Sequence, residues 1–156
     1  ADYKQLGYSD NWINQRLKAI EVRKDLTDAW KKRGVQEGQQ FATLTDIITN
    51  AWSGFSTREY KAYKGLHKEN LRDNMTNTEL ILNMLAEAST KDITEATEPR
   101  TLAAHKAVAR QGGTIARNAR LELEARTGKK VVSRLNAKQV LATKHAEQIE
   151  AAEEDK

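Results

Sequence analysis

Three kinds of residue in this chain could do chemistry: histidines, grouped carboxylates and grouped cations. His67, His105 and His145 are far apart, and none has the i+3 or i+4 partner that a helix-borne zinc pair needs, so no metal site is expected. Cysteine is absent, which excludes a thiolate ligand, a thiol nucleophile and a disulfide scaffold. There is no GxxxxGK[ST] phosphate loop, GxGxxG turn or GxSxG nucleophile elbow. Asp25 and Asp28 share a helix face, but Lys24 and Lys31 stand beside them, as on a solvated surface. Asp73, Glu79 and Glu87 surround one predicted helix, and Glu79 is accounted for by helix capping. A Mg²⁺-dependent nuclease using Asp73 and Glu87 is the one enzymatic alternative this leaves. The expectation is a non-enzymatic protein with no catalytic residues, no cofactor and no small-molecule substrate.

The cations are more informative. The whole chain carries only +4, yet residues 100–135 hold nine basic residues against two acids, and residues 146–156 carry −4. Arg117 and Arg120 are i, i+3 neighbours with Asn118 beside them. Together with Arg110, Lys129, Lys130 and Arg134 they form the expected nucleic-acid-binding set. Such a face neutralises phosphates and releases counterions, so its binding falls with salt. The opposing reading is a solvated face balanced by the acidic tail. A second basic run, Arg58, Lys61, Lys64, Lys68 and Arg72, has Tyr60 and Tyr63 interleaved. Its acids reduce it to +2, and the tyrosines read as core-edge packing. Trp12, Trp30 and Trp52 read as core anchors.

These residues sit on predicted helices. Ser9 caps a first helix with Ile13, Leu17 and Ile20 inward, running on to Gly34. A second helix covers about 37–52, with Phe41, Leu44, Ile48 and Ala51 inward and a Thr-rich opposite face. Capping boxes at Ser56–Glu59 and Thr76–Glu79 open the next two. The latter leads into Leu80, Ile81, Met84, Leu85 and Ala88, the expected central core helix. Pro99 suits the first position of another helix, with Ala104 and Val108 inward, and Gly112-Gly113 is expected to break it. Thr114 would then cap a helix with Ile115, Ala119 and Leu123 inward, ending near Gly128. The basic segment thereby acquires a helix-turn-helix outline. Val131-Val132 could lie extended. The fold class expected is all-α: an irregular array of six to seven helices over 1–135, with a solvent-exposed charged helix or tail over 136–156.

Composition agrees. With 156 residues, 38% hydrophobic and 31% charged, the chain supplies one core and no run of about 20 apolar residues to span a membrane. The N-terminus ADYKQLGYSD lacks an apolar stretch of signal-peptide type, so a cytoplasmic location is expected.

The segments Lys64-Gly65-Leu66, Lys68-Glu69-Asn70-Leu71-Arg72-Asp73, and Met75-Thr76 through Glu79-Leu80 resemble a bacterial and prophage family. So do Gly112-Gly113, Ala116-Arg117-Asn118-Ala119-Arg120 and Thr127-Gly128-Lys129-Lys130-Val131-Val132. The family comprises Bro-N-domain proteins, phage antirepressors and DNA-damage-inducible protein D, and the resemblance is to their C-terminal region, over about 6–137. It implies a role in phage regulation or the SOS response, with partners such as DNA, RecA or a phage repressor. It supplies no catalytic residues. Family members carry a Bro-N domain ahead of this region, so the chain is expected to be a C-terminal fragment or a shortened member. The Ala-rich terminal helix also makes a homo-oligomer one expectation.

Overall fold

The computed structural model describes residues 3, 4 and 6–139; the predicted tail over 140–156, with His145, lies outside the described residues. Five α-helices and one 3-10 turn follow in order: α1 (Asp10–Lys32), α2 (Gln39–Ser53), α3 (Thr57–Tyr63), the turn Arg72–Asn74, α4 (Asn77–Thr97) and α5 (Leu102–Thr127). Among the described residues the chain is all-helical, without strands, as expected. α4 lies at the centre, against α1, α2 and α5, and α2 packs along α5.

Helix starts follow local chemistry. The Ser9 hydroxyl accepts the Trp12 amide at 3.1 Å. Both capping boxes close: the Glu59 amide donates to Ser56 Oγ and the Ser56 amide to Glu59 Oε1, and Thr76 and Glu79 exchange the same pair of bonds. Gly128, in the left-handed region at φ 71°, ends α5.

Three expectations fail for tertiary reasons. First, Gly112-Gly113 does not break the helix. α5 runs through both, so there is no helix-turn-helix, and Thr114 is no cap; its hydroxyl donates to the Arg110 carbonyl in mid-helix. A Cβ on Gly112 would fall 1.9 Å from Thr90 Oγ1 and 2.8 Å from Thr90 Cα. One on Gly113 would fall 2.5 Å from Ala51 Cβ and 2.9 Å from the Ile48 carbonyl oxygen. The pair lets the α5 backbone press against α4 on one side and α2 on the other. Second, Pro99 ends α4 rather than opening α5. It follows Glu98, the left-handed C-cap at φ 50°, and Thr101 caps α5 instead. Third, the inward faces are rotated. Leu17 (51% exposed), Ile20 (44%), Ile81 (43%), Leu85 (37%), Ile115 (44%) and Leu123 (38%) all face out. α1 buries Trp12, Arg16, Ala19, Leu26, Ala29 and Trp30. α5 buries His105, Val108, Ala109, both glycines and Ala116.

α4 is the central helix, but its buried face is largely polar: Glu79, Asn83, Glu87, Thr90 and Thr94 join Leu80, Leu82 and Ala86. The Thr90 and Thr94 hydroxyls donate back to the carbonyls of Ala86 and Thr90. Asn83 accepts the Trp52 indole N–H and donates to Glu87. Glu79 meets Lys64 at 2.8 Å with both side chains sealed from solvent. The segment after α5 returns to this pair. Lys64 Nζ donates to the Leu135 carbonyl, Asn136 Nδ2 to the Lys64 carbonyl and the Ala137 amide to Asn74 Oδ1. Val131 and Val132 are neither helix nor strand, and Val132 joins the core. Trp12, Trp30 and Trp52 are core residues, as predicted, and Tyr60, expected at the core edge, is fully buried.

Gly112→Ala should lower stability by at least about 2 kcal/mol in denaturant unfolding, and Gly113→Ala likewise, through overpacking. A helix loosened by glycine would instead gain about 1 kcal/mol from the same changes. Lys64→Met should cost about 3–5 kcal/mol, because it strands the Glu79 carboxylate without a countercharge.

Candidate nucleic-acid interface

Arg110 and Arg117 stand seven residues apart on α5, two helical turns and roughly 10 Å along its axis, on one flank. Both are exposed, and neither has an ion-pair partner among the described residues. Gly113 lies between them in sequence, and its missing side chain holds α5 against Ile48 and Ala51 of α2. The two guanidinium groups therefore border a groove of about 550 Å³, floored by Ile47, Asn50 and Ala51 of α2. Asp46, also on its wall, accepts the Thr57 amide at 2.7 Å. The groove thus offers two cations and an amide side chain, with the Asp46 carboxylate on its wall held by the Thr57 amide. That set suits phosphate contact and is too small to read base edges in detail.

The other predicted site residues divide. Arg120 is a structural strut: Nε donates to the Trp52 carbonyl at 2.8 Å and NH1 to Glu124 at 3.0 Å, with 14% of the side chain exposed. The other Glu124 oxygen accepts the Val131 amide, so this carboxylate ties down the chain beyond α5. Asn118 is exposed on the next face of α5. Lys129 and Lys130 are exposed past the end of the helix, beside a shallow 330 Å³ depression shared with Thr76 and Thr78 at the start of α4. Arg134 lies over the Tyr63 ring at 4.8 Å, and Tyr63 stacks in turn on Phe55. The predicted set is therefore an arginine pair over the α2–α5 groove, a separate lysine pair at the end of α5, one stacked arginine, one exposed amide and one strut. It is not a single strip.

The carboxylates that suggested a nuclease are apart and engaged. Asp73 is held by Arg16 at 2.8 Å and by the Tyr3 hydroxyl. Glu87 is buried between Arg23 and Arg72. Burial pushes the Arg23 guanidinium below its ordinary pKa, and Glu87 pulls it back. No group of three or more His, Asp or Glu able to hold a metal occurs among the described residues. Asp25 and Asp28 are on the solvated face expected, with Lys24 reaching Asp28 at 3.6 Å. The second basic run is dispersed: Lys64 is buried, and Tyr60 donates its hydroxyl to Glu79. Desolvation and the neighbouring carboxylate push that phenol well above its ordinary pKa.

His105 is 3% exposed, and neither ring nitrogen has a hydrogen-bond partner among the described residues. Burial, then the charge of Arg33, push its pKa below the ordinary 6.5. The unfolded chain therefore binds this proton more readily than the folded one. The protonation-linked cost vanishes well above pH 6.5, and stability falls as the pH drops below that value, down to the folded pKa. The limiting slope from one group is about 1.4 kcal/mol per pH unit. His105→Leu should flatten the stability profile below about pH 6.5, measured by urea unfolding across pH as a difference from the unsubstituted chain.

Comparison of the chain with protein-family models and with curated proteins gives no match.

Proposed function

We propose that this chain is a non-enzymatic accessory module of DNA metabolism or phage regulation that contacts the nucleic-acid backbone through cationic side chains. The observation that carries the reading is the exposed Arg110–Arg117 pair over the α2–α5 groove, without a carboxylate partner among the described residues. Lys129 and Lys130 supply two further exposed cations. Two separated pairs, with few groups to read bases, favour binding without sequence preference. The resemblance supplies the setting: phage regulation or the SOS response in the cytoplasm.

A second reading is contact with a protein such as RecA or a phage repressor. It is favoured by the large apolar side chains left outside: Leu17 and Ile20 on α1, Ile81 and Leu85 on α4. No helix among the described residues is long and apolar enough to cross a membrane.

Electrophoretic shifts across a salt series test the first reading. Replacing Arg110, Arg117, Lys129 and Lys130 together by Ala should flatten the slope of log K against log salt by up to about 3 to 4 units on duplex DNA. An unchanged slope, or no binding by the unsubstituted chain at low salt, overturns it. Arg120→Ala should act differently, lowering the melting temperature through its lost bond to α2. A pull-down against RecA and phage repressors, with and without DNA, tests the second reading; no capture under any condition overturns that one.

A further inference from the structure

Away from α5, the space between α2, α3 and the Arg72–Asn74 turn holds a partly open recess of about 120 Å³. Thr45 and Thr49, one turn apart on α2, form one wall, and Lys61 of α3, Arg72 and Asn83 complete it. A water occupies about 30 Å³ of liquid, so the recess has room for a small polyatomic ion. Thr45, Lys61 and Thr57 also border a wider cleft of about 670 Å³, where Arg23, Arg58 and His67 stand. The two spaces share a wall.

The polar groups here are unevenly spent. Asn83 is used by Trp52 and Glu87, and the Thr45 hydroxyl donates to the Phe41 carbonyl. The Lys61 side chain has no hydrogen bond or ion pair among the described residues, although the residue is half-buried, and Arg72 Nε is buried without a partner. Four cations, Arg23, Arg58, Lys61 and Arg72, border the two spaces. The carboxylates that meet them are Glu87, clamped between Arg23 and Arg72, and Asp46, which takes the Thr57 amide. Two positive charges are left over, and since Lys61 is half-buried while Arg58 is exposed on the wider cleft, an anion at the Lys61 end is held more strongly than at an open surface. A dianion balances them, whereas a carboxylate does not. Arginine and lysine with hydroxyl donors are the groups that hold phosphate oxygens.

We infer that this recess binds the phosphate of a phosphomonoester, with the wider cleft receiving the rest of a molecule of about nucleotide size. The cleft volume is within the range of small-ligand pockets. The site is distinct from the α2–α5 groove and does not depend on its role.

Titration calorimetry of the full chain tests this with inorganic phosphate, a nucleoside 5′-monophosphate and the matching nucleoside. The monophosphate should bind at least about tenfold more tightly than the nucleoside. Lys61→Ala should weaken it by a similar factor without lowering the melting temperature. Arg72→Lys serves as a second variant, read only if its melting temperature is kept. Arg117→Ala should leave the affinity unchanged, separating this site from the proposed nucleic-acid face. Oligonucleotides with a 5′-phosphate or a 5′-hydroxyl distinguish a strand terminus from a free metabolite as the source of the phosphate. Equal binding of nucleoside and monophosphate, no binding of either at millimolar concentration, or an undiminished affinity in Lys61→Ala overturns the inference.

Discussion

The Glu79 carboxylate is where the fold is tied together. It is removed from solvent, yet its two oxygens meet four donors: Lys64 Nζ and the Thr76 amide at one, the Tyr60 hydroxyl and the Ser133 amide at the other. A carboxylate has about four acceptor positions, and all are used. Burial alone would push the Lys64 ammonium toward its neutral form, and the adjacent carboxylate opposes that. A buried pair gains little over apolar packing when complete, but removing either member leaves a charge with no solvent to stabilise it. The donors come from α3 and its C-cap, from the start of α4 and from the irregular return after α5. One group therefore determines where three distant stretches meet.

The same device recurs along α4. Glu87 takes Arg23 of α1 and Arg72 of the 3-10 turn, and Asn83 joins it to Trp52 of α2. On α1, Arg16 reaches Asp73 across to that turn. Carboxylates that by type could have served an acid–base or metal reaction are thus spent on holding helices in register. Satisfied polar contacts specify partners by direction as well as by proximity, which apolar packing does less sharply. Acids and their buried cations thus position the helices, while the side chains of Arg110, Arg117 and Lys61 make no ion pair among the described residues.

How far the fold could be read in advance depended on the range of the interaction. Caps were legible because a Ser or Thr and a Glu three residues on settle the matter between themselves. Gly112-Gly113 was not, because glycine lowers helix propensity and also permits close backbone approach, and only the presence of Thr90 and Ala51 decides between these. Burial was misjudged on α1 and α4 for a related reason. Counting apolar side chains assigns Leu17, Ile20 and Ile81 to the interior. The structure instead spends those directions on Arg16, Asn83 and Glu87, whose partners include Asp73, 57 residues from Arg16, Arg23, 64 from Glu87, and Trp52, 31 from Asn83. For the candidate site, charge counting picked out the basic stretch along the chain but could not tell Arg117, which is exposed, from Arg120, which is bonded to Trp52.

The amino-acid order by itself determined the helical class, the caps at Ser9, Ser56 and Thr76, the tryptophan anchors and the excess of positive charge between residues 100 and 135. These rest on interactions within a few residues, or on composition. Tertiary structure alone decided that α5 is one helix, which face of each helix is buried, and which charged groups are neutralised. Each of those outcomes depends on the approach of distant backbone and on desolvation, neither of which exists until the helices have packed.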